Sequence, residues 1–211
     1  YDILPINARA VPMKKIFSTK CRSGAFFEQV LISMNIVMCL GCSLLICLTK
    51  NLAGFLYSKD FYEAWRYVPF LIVSCVINAS AGIIGAMLSA KKDSKTMAIA
   101  GVIGAFSNII LNIVFIGFIG IQGAAVATVI SSFIIFYIRM RAIVNEINVN
   151  CFILIIFTWL LLNIQSVIKI NISSLYSYIS DCVIFFVIVI VYLKPIIKYK
   201  DLLLKMIRRK R

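Results

Sequence analysis

Polar side chains occur within long apolar runs of this sequence, where their chemistry is hydrogen bonding rather than proton transfer. Five of them carry an amide or a hydroxyl group that can bind a polar ligand or a neighbouring helix: Asn78, Asn108, Asn112, Gln122 and Thr128. In lipid such a group needs a partner or a water-filled cavity. The pattern therefore admits two interpretations, hydrogen bonds that hold helices together and the lining of a polar substrate cavity.

The composition excludes several other kinds of site. The 211 residues include no histidine, which removes histidine general bases, metal ligands and proton relays. No G-x-x-x-x-G-K-[ST] phosphate loop occurs, so we expect no nucleotide hydrolysis by this chain. Cys39 and Cys42 form a C-x-x-C motif in an apolar run, which indicates packing cysteines rather than a redox pair. We predict no enzymatic activity, catalytic residue, metal site or cofactor.

Membrane helices must position these polar groups. Hydrophobic residues make up 62% of the chain, whereas a soluble domain has about 45–50%. Six apolar runs approach the length of about 20 residues that a bilayer span requires. They cover residues 30–48, 67–90, 97–118, 121–140, 151–168 and 178–193. The sequence therefore predicts an all-α, polytopic membrane bundle of six transmembrane helices.

These spans divide the chain into four parts. Residues 1–29 are a cytoplasmic loop with an amphipathic approach to the membrane, 30–140 hold four transmembrane helices, 141–193 hold two terminal transmembrane helices, and 194–211 are a basic cytoplasmic tail. The two terminal helices are bulky and lack a stripe of small residues, so we expect them at the periphery, facing lipid. The chain begins with Tyr1 rather than Met, and we expect it to be part of a longer protein.

Small residues follow one side of the third and fourth spans. They are Gly101 and Gly104 in the third span, then Gly120, Gly123 and Ala127 around and within the fourth. Small side chains let two helix backbones approach closely in lipid. We therefore expect these residues to make helix-packing contacts, in an interior that the second span shares.

Basic residues lie mainly between the spans. The net charge of +14 would suggest nucleic acid in a soluble protein, but its placement here predicts contact with anionic membrane lipids and no nucleic-acid partner. Eighteen Lys and Arg residues fall in alternate segments that include both ends of the chain, against four in the segments between. This bias predicts cytoplasmic termini. Because Arg139 and Asp181 lie near span ends, we expect no intramembrane ion pair.

Four motifs between residues 61 and 133 carry a family resemblance. They are FYEAWRYVPFL at 61–71, GAMLSAKKDSKT at 85–96, SNIILNIVFI at 107–116 and GIQGAAVATVIS at 120–131. They resemble the polysaccharide flippases, the Wzx-type O-antigen and capsule transporters of the multidrug/oligosaccharidyl-lipid/polysaccharide exporter superfamily. The last motif is the most specific, and the clear resemblance covers 73 of the 211 residues.

This resemblance implies two six-helix lobes around a central cavity, with this C-terminal portion supplying most of the second lobe. It implies alternating access that carries an undecaprenyl-pyrophosphate-linked oligosaccharide from the cytoplasmic to the periplasmic leaflet of a bacterial inner membrane. The implied partners are that lipid-linked substrate, membrane lipids, the missing N-terminal lobe, a polysaccharide polymerase and a chain-length regulator. Family cavities are cationic, but these spans offer no mid-membrane Lys or Arg, so the other lobe or a span-end residue such as Arg66 must supply the charge.

Two other functions fit an apolar helix bundle. A multidrug or cation exporter of the same superfold favours a carboxylate in its cavity, and none is seen in these spans. The other alternative is a membrane-bound enzyme, such as a polysaccharide polymerase or an acyltransferase. A polymerase usually needs a long external loop, whereas the external segments here, at 49–66, 118–120 and 169–177, are short.

Overall fold

A computed structural model describes residues 13–172 and 175–208, and the bundle is helical through these ranges. The helices are α1 Met13–Leu56, α2 Val68–Ala90, α3 Ser94–Ile119, α4 Ile121–Ile143, α5 Val149–Asn171 and α6 Leu175–Arg208, with a 3₁₀ helix Lys59–Arg66 before α2. Six helices are long and apolar enough to cross a membrane. The predicted all-α, six-helix membrane bundle is thus confirmed. Residues 1–12 of the predicted cytoplasmic loop and 209–211 of the predicted tail lie outside the described residues.

Helix α1 extends well beyond its predicted span. It has 44 residues, about 66 Å at 1.5 Å per residue, whereas the hydrocarbon core of a bilayer is about 30 Å thick. The part of α1 that is long and apolar enough to cross a membrane is Phe26–Leu56, wider than the predicted run at 30–48. The backbone hydrogen bonds of the helix continue from there into the polar sequence at its N-terminal end.

Local chemistry explains where the middle helices begin and end. Pro69 lies in the first turn of α2, where its missing N–H group costs little. The Asp93 side chain caps α3 by accepting a hydrogen bond from the Thr96 backbone N–H at 3.1 Å. Gly120 has a φ of 64° between α3 and α4, a left-handed conformation that glycine adopts without strain. These signals make α2, α3 and α4 a continuous series of antiparallel helices.

Helix α4 lies between α2 and α3, and α1 packs against α2, α5 and α6. Helix α3 packs chiefly on α4, and its buried residues are Ala100 and Gly104. The interior predicted for three spans is therefore arranged around α4, with α3 at the edge of the described bundle. Its remaining apolar surface is available for lipid or for another part of a larger protein.

The expected peripheral position of both terminal helices is wrong for α5. Trp159 and Leu162 of α5 are buried in the core, and the Trp159 ring centroid lies 4.6 Å from that of Phe136 in α4. The opposite helix α1 presents the small side chains of Cys39 and Ser43. Two helices can pack closely when only one of them presents small side chains. A helix with bulky side chains, such as α5, can therefore lie in the core.

Replacing Asp93 by alanine should lower the thermal stability of the bundle because the N-terminus of α3 loses its cap. Hydrogen bonds from the Thr96 hydroxyl and backbone N–H hold the pKa of Asp93 below its ordinary value. A lowered folded-state pKa contributes stability at neutral pH that is lost as the pH falls through that pKa. Melting temperatures of wild type, Asp93→Ala and Asp93→Asn across acidic pH test this. Asparagine can still cap the helix but carries no charge, so Asp93→Asn should lose the acid-dependent part of the stability. If its melting temperature falls with pH as much as that of the wild type, the Asp93 carboxylate is not the source of that pH dependence.

Candidate functional site

Polar side chains meet halfway along α2 and α4. The Asn78 Nδ2 atom donates a hydrogen bond to Ser132 Oγ at 2.8 Å. Ser132 is the middle residue of α4, and Asn78 is next to the middle of α2. The Ser132 hydroxyl in turn donates to the Thr128 carbonyl at 2.7 Å. Asn78 thus links two helices, yet its side chain remains exposed on the other side, where a ligand can reach it.

The two asparagines of α3 bond to each other rather than across helices. Asn112 Nδ2 donates to Asn108 Oδ1, one helical turn away, and both residues are half-buried. They lie between two close approaches of α3 to α4, at Gly104 and Phe115. Their amides therefore lie between these two contacts along α3, with hydrogen-bonding capacity that the bond between them does not use up.

The other two candidates occupy different settings. The Thr128 hydroxyl donates to the Ala124 carbonyl of its own helix at 2.8 Å, close to the contact between Asn78 and Ser132. Gln122 is half-buried in the first turn of α4, far along the helix from that contact. The structure therefore brings Asn78 and Thr128 together through Ser132, pairs the two asparagines of α3, and leaves Gln122 apart.

The small residues fall into three settings. A Cβ atom on Gly123 would lie 2.3 Å from the Phe115 carbonyl oxygen, and one on Gly104 would lie 2.2 Å from Ile135 Cγ1. Ala127 is fully buried. Gly120 forms the turn between α3 and α4, and an added Cβ on Gly101 meets no atom within 4 Å in the described bundle. Close helix contact thus involves Gly104, Gly123 and Ala127.

Arg139 carries a positive charge deeper into the bundle than its sequence position indicates. Its Nη1 atom donates to the Ala81 carbonyl at 2.8 Å, nine residues, or about 13 Å, inside the end of α2. Side chains on a helix lean toward its N-terminus, and here this directs Arg139 away from the nearby end of α4. A Cβ atom on Gly85 would lie 3.0 Å from Nη1, so the glycine leaves room for the guanidinium.

A buried ion pair joins α5 and α6, so the prediction that no such pair occurs is wrong. Lys169 Nζ lies 2.9 Å from Asp181 Oδ2, and the two side chains are 2% and 0% exposed. Sequence analysis assigned Lys169 to an external segment, but it lies in the last turn of α5. The available signal was the pair of opposite charges on either side of one short turn, because antiparallel flanking helices bring such residues to the same end of the bundle.

Most of the buried hydrogen bonds lie where α1 meets α2, α5 and α6, away from the predicted candidates. Asn35 Nδ2 donates to Ser80 Oγ at 2.9 Å, and Trp159 Nε1 donates to Asn35 Oδ1 at 3.1 Å. Further out, the Ser43 hydroxyl donates to Gln165 Oε1 at 2.9 Å. Such bonds replace the missing hydrophobic effect between helices in lipid. We therefore interpret the contacts of α1 with α2, α5 and α6 as the ones that hold the helices of the bundle together.

Comparisons with known proteins support the fold. No protein-family model matches the sequence, and no curated protein matches it. Among solved structures, the chain is similar to the lipid II flippase MurJ in an inward closed conformation, with a TM-score of 0.58 and 22% sequence identity. The match covers 84% of this chain and 39% of the MurJ chain, so the chain spans about two-fifths of that protein. At this identity the similarity shows a shared fold, that of a multi-pass helical membrane protein.

Proposed function

We propose that this chain forms most of the second lobe of a membrane transporter that flips lipid-linked oligosaccharides, as Wzx-type polysaccharide flippases do. Two independent observations support the proposal. The four sequence motifs between residues 61 and 133 resemble those flippases, and the helical arrangement resembles that of a protein named as a lipid II flippase. The proposed substrate is an undecaprenyl-pyrophosphate-linked O-antigen or capsule repeat unit. The proposed role is transport, not enzymatic conversion.

The observation that carries the proposal is the guanidinium of Arg139 between α2 and α4. A flippase for a pyrophosphate-linked lipid needs positive charge within its helices, and sequence analysis found no Lys or Arg in the middle of any span. Arginine has five N–H donors in a planar fork that suits phosphate oxygens. The bond to Ala81 uses one of them. Arg139 is only partly buried, so the group can contact a pyrophosphate that enters between the lobes.

The amides in the middle of α2 and α3 suit the sugar part of such a substrate. Asn78, Asn108 and Asn112 offer donors and acceptors at a depth where lipid offers neither. Substrate sites of two-lobe transporters commonly lie near the bilayer midplane. In the proposed mechanism the hydroxyl groups of the oligosaccharide exchange hydrogen bonds with these amides while the lobes rock to expose the other leaflet.

The proposed orientation has both termini in the cytoplasm of a bacterial inner membrane, from the placement of Lys and Arg. Arg139 then lies in the cytoplasmic half of the bundle, on the side where a lipid-linked substrate is assembled. Lys91 and Glu146 pair at the same end, between the α2–α3 and α4–α5 turns. The proposed partners are the N-terminal lobe, membrane lipids, a polysaccharide polymerase and a chain-length regulator.

The decisive experiment uses a strain that lacks the full-length gene. We expect lipid-linked oligosaccharide to accumulate on the cytoplasmic face of the inner membrane and to clear when the gene is restored. Accessibility of the sugar to a lectin added to the periplasmic side of spheroplasts measures the leaflet. Normal export with unpolymerised repeat units would refute the flippase and favour a polymerase.

Replacing Arg139 by glutamine in the full-length protein should reduce flipping about 10- to 100-fold. Hydrogen bonds to charged groups contribute about 1.5–3 kcal/mol, and 1.4 kcal/mol corresponds to a factor of about ten. The matched control is Arg141→Gln, since Arg141 is exposed and its Nη1 donates to the Tyr137 hydroxyl at 3.2 Å. Equal transport by both variants, at equal protein level, would argue against a substrate role for Arg139.

Replacing Asn108 and Asn112 together by leucine should impair transport much more than folding, because within the described residues these amides bond to each other and not to another helix. Asn78→Leu is measured beside it, because Asn78 is a proposed sugar contact that also bonds across helices, to Ser132. Such bonds contribute about 0.6 kcal/mol on average in membrane proteins, so a small fall in melting temperature is expected there. Flipping rate and thermal stability, measured on both variants, separate the two roles. If the α3 double variant loses both expression and thermal stability, the two asparagines serve helix packing rather than substrate binding.

A further inference from the structure

Exposed apolar side chains occur at each of the three helix connections that share one end of the bundle. These connections are the 3₁₀ helix between α1 and α2, the turn between α3 and α4, and the turn between α5 and α6. Phe61, Phe118 and Tyr176 lie at them, and these side chains are 72%, 82% and 75% exposed. We call this the apolar end of the bundle.

The connections at the opposite end are polar and basic. They are residues 91–93, between α2 and α3, and 144–148, between α4 and α5. The ion pair of Lys91 with Glu146 joins them, and Lys95 at the start of α3 is exposed. We call this the charged end. The two ends of the same bundle therefore present different surfaces to whatever surrounds them.

The lengths of the helices place the apolar end near the edge of the bilayer. Helix α3 has 26 residues, about 39 Å at 1.5 Å per residue, and its single charged residue, Lys95, lies in its first turn. The hydrocarbon core is about 30 Å thick, and the bilayer with its headgroup regions about 40–45 Å. Because a charged group is costly inside the hydrocarbon, Lys95 belongs in one headgroup layer. Phe118, in the last turn of α3, then reaches the opposite headgroup layer but not the water beyond it.

The other two connections fit the same depth. The apolar span of α6, Leu175–Leu193, has 19 residues, about 28 Å, and Tyr176 lies in its first turn. The 3₁₀ helix packs the buried Trp65 against α1, where Lys50 Nζ lies 5.5 Å from the centroid of the ring. This contact holds the helix on the bundle and leaves Phe61 exposed.

The apolar end continues the surface that the helices present to lipid. On α3 the exposed apolar side chains run from Ile109 through Ile113 to Phe118 and Ile119 without an intervening charge. Large exposed apolar patches mark interaction surfaces, including membrane contacts. Aromatic side chains such as tyrosine are enriched at the level of the lipid headgroups. A phospholipid headgroup layer is therefore the surrounding that suits these connections.

We propose that the apolar end lies within the headgroup layer of the membrane, where Phe61, Phe118 and Tyr176 contact phospholipid, while the charged end stands in water. The inference concerns how this chain sits in the membrane and does not depend on the substrate. The bundle is then inserted asymmetrically. Helix α1 begins at Met13, well before its apolar span at Phe26, so it extends past the bilayer at the charged end.

The test measures the depth of nitroxide spin labels on the single variants Phe61→Cys, Phe118→Cys and Tyr176→Cys. The full-length protein is placed in nanodiscs of phosphatidylethanolamine and phosphatidylglycerol. Four of the native cysteines of this chain become alanine, and the three that are buried are kept: Cys39, Cys42 and Cys151. Oxygen concentrates in hydrocarbon and a nickel chelate stays in water, so the ratio of label accessibility to oxygen and to nickel measures depth.

Matched labels set the scale. They replace exposed residues at the charged end, Lys95 and Asn145, and an exposed residue within the span of α6, Phe186. We expect the ratio at the three apolar-end sites to be several-fold above that of the charged end and below that at Phe186. A ratio equal to that of the charged end would put the apolar end in water and overturn the proposal. Labels that neither reagent reaches would show that another part of the protein or a second copy covers this end, which also overturns it.

A second measurement leaves every native cysteine in place. Phe61→Trp, Phe118→Trp and Tyr176→Trp each add one tryptophan to a chain whose native Trp65 and Trp159 are buried. Lipids brominated at defined positions of the acyl chain quench tryptophan fluorescence according to depth. We expect the added fluorescence to be quenched most by bromine nearest the headgroup. Added fluorescence that no brominated lipid quenches would contradict the placement.

Discussion

Replacing Asp181 by leucine while Lys169 is retained should destabilise the bundle by about 3–5 kcal/mol, because a buried ammonium group loses its counter-charge. The expectation rests on the 2.9 Å ion pair and on the burial of both side chains. Lys169→Met should have a comparable effect, since it leaves the carboxylate alone. The melting temperature of the purified protein in detergent, followed by size-exclusion chromatography, measures the loss.

The double variant distinguishes a lost ion pair from damaged packing. Lys169→Met combined with Asp181→Leu should recover most of the stability, because apolar side chains of similar size often replace a buried ion pair at little or no cost. The control is Lys91→Met, which breaks the partly exposed pair with Glu146. Exposed pairs contribute about 0–1 kcal/mol. If the melting temperatures of the Asp181 and Lys169 single variants fall no further than that of this control, the ion pair is not a stabilising contact.

Replacing Gly123 by alanine should destabilise the contact between α3 and α4 by at least about 1–3 kcal/mol, the usual cost of overpacking. An added Cβ would lie 2.3 Å from the Phe115 carbonyl oxygen and 2.4 Å from its carbon. These are backbone atoms in a helix, so they cannot move aside as the end of a side chain can. The two helices would have to separate at this end of the hairpin.

Gly117→Ala is the matched control, only six residues from Gly123 and at the same end of the hairpin. An added Cβ at Gly117 meets no atom within 4 Å, and alanine is favoured over glycine inside a helix by about 0.5–1 kcal/mol. We therefore expect its melting temperature to equal or exceed that of the wild type, while that of Gly123→Ala falls. Equal melting temperatures for both variants would contradict the close approach of α3 to α4.

The same two glycines illustrate how far a sequence can predict packing. Both occur in apolar helical sequence, but only Gly123 belongs to the stripe of small residues that sequence analysis assigned to helix packing. Gly101 and Gly104 both belong to that stripe, yet only Gly104 meets a neighbour, Ile135. A stripe of small residues indicates that close contact is possible. The rotation of each helix about its axis decides which of them makes it, and that rotation depends on all the neighbouring helices together.

The charged residues show the same limit. Sequence analysis located Arg139 and Asp181 correctly near the ends of helices, but it inferred from this that they would form no intramembrane ion pair. Arg139 instead reaches back along α4 to the Ala81 carbonyl, and Asp181 of α6 is buried against α5 and α1. Position along a helix gives the depth of a Cα atom. Burial depends on the direction of the side chain and on what packs over it.

The sequence by itself determined the membrane class, the number of spans and the approximate position of each, as well as the polar residues near their centres. It could do so because the backbone of a segment in lipid must form its hydrogen bonds within a helix. Such a helix needs about 20 mostly apolar residues to cross the bilayer, and a run of this kind is visible in the sequence. Only the tertiary structure decided that α5 is central and α3 lies at the edge, that Asn78 bonds to Ser132, and that Lys169 pairs with Asp181. Those contacts join residues far apart in the chain, and they depend on which helix faces each neighbour, which local hydropathy does not encode.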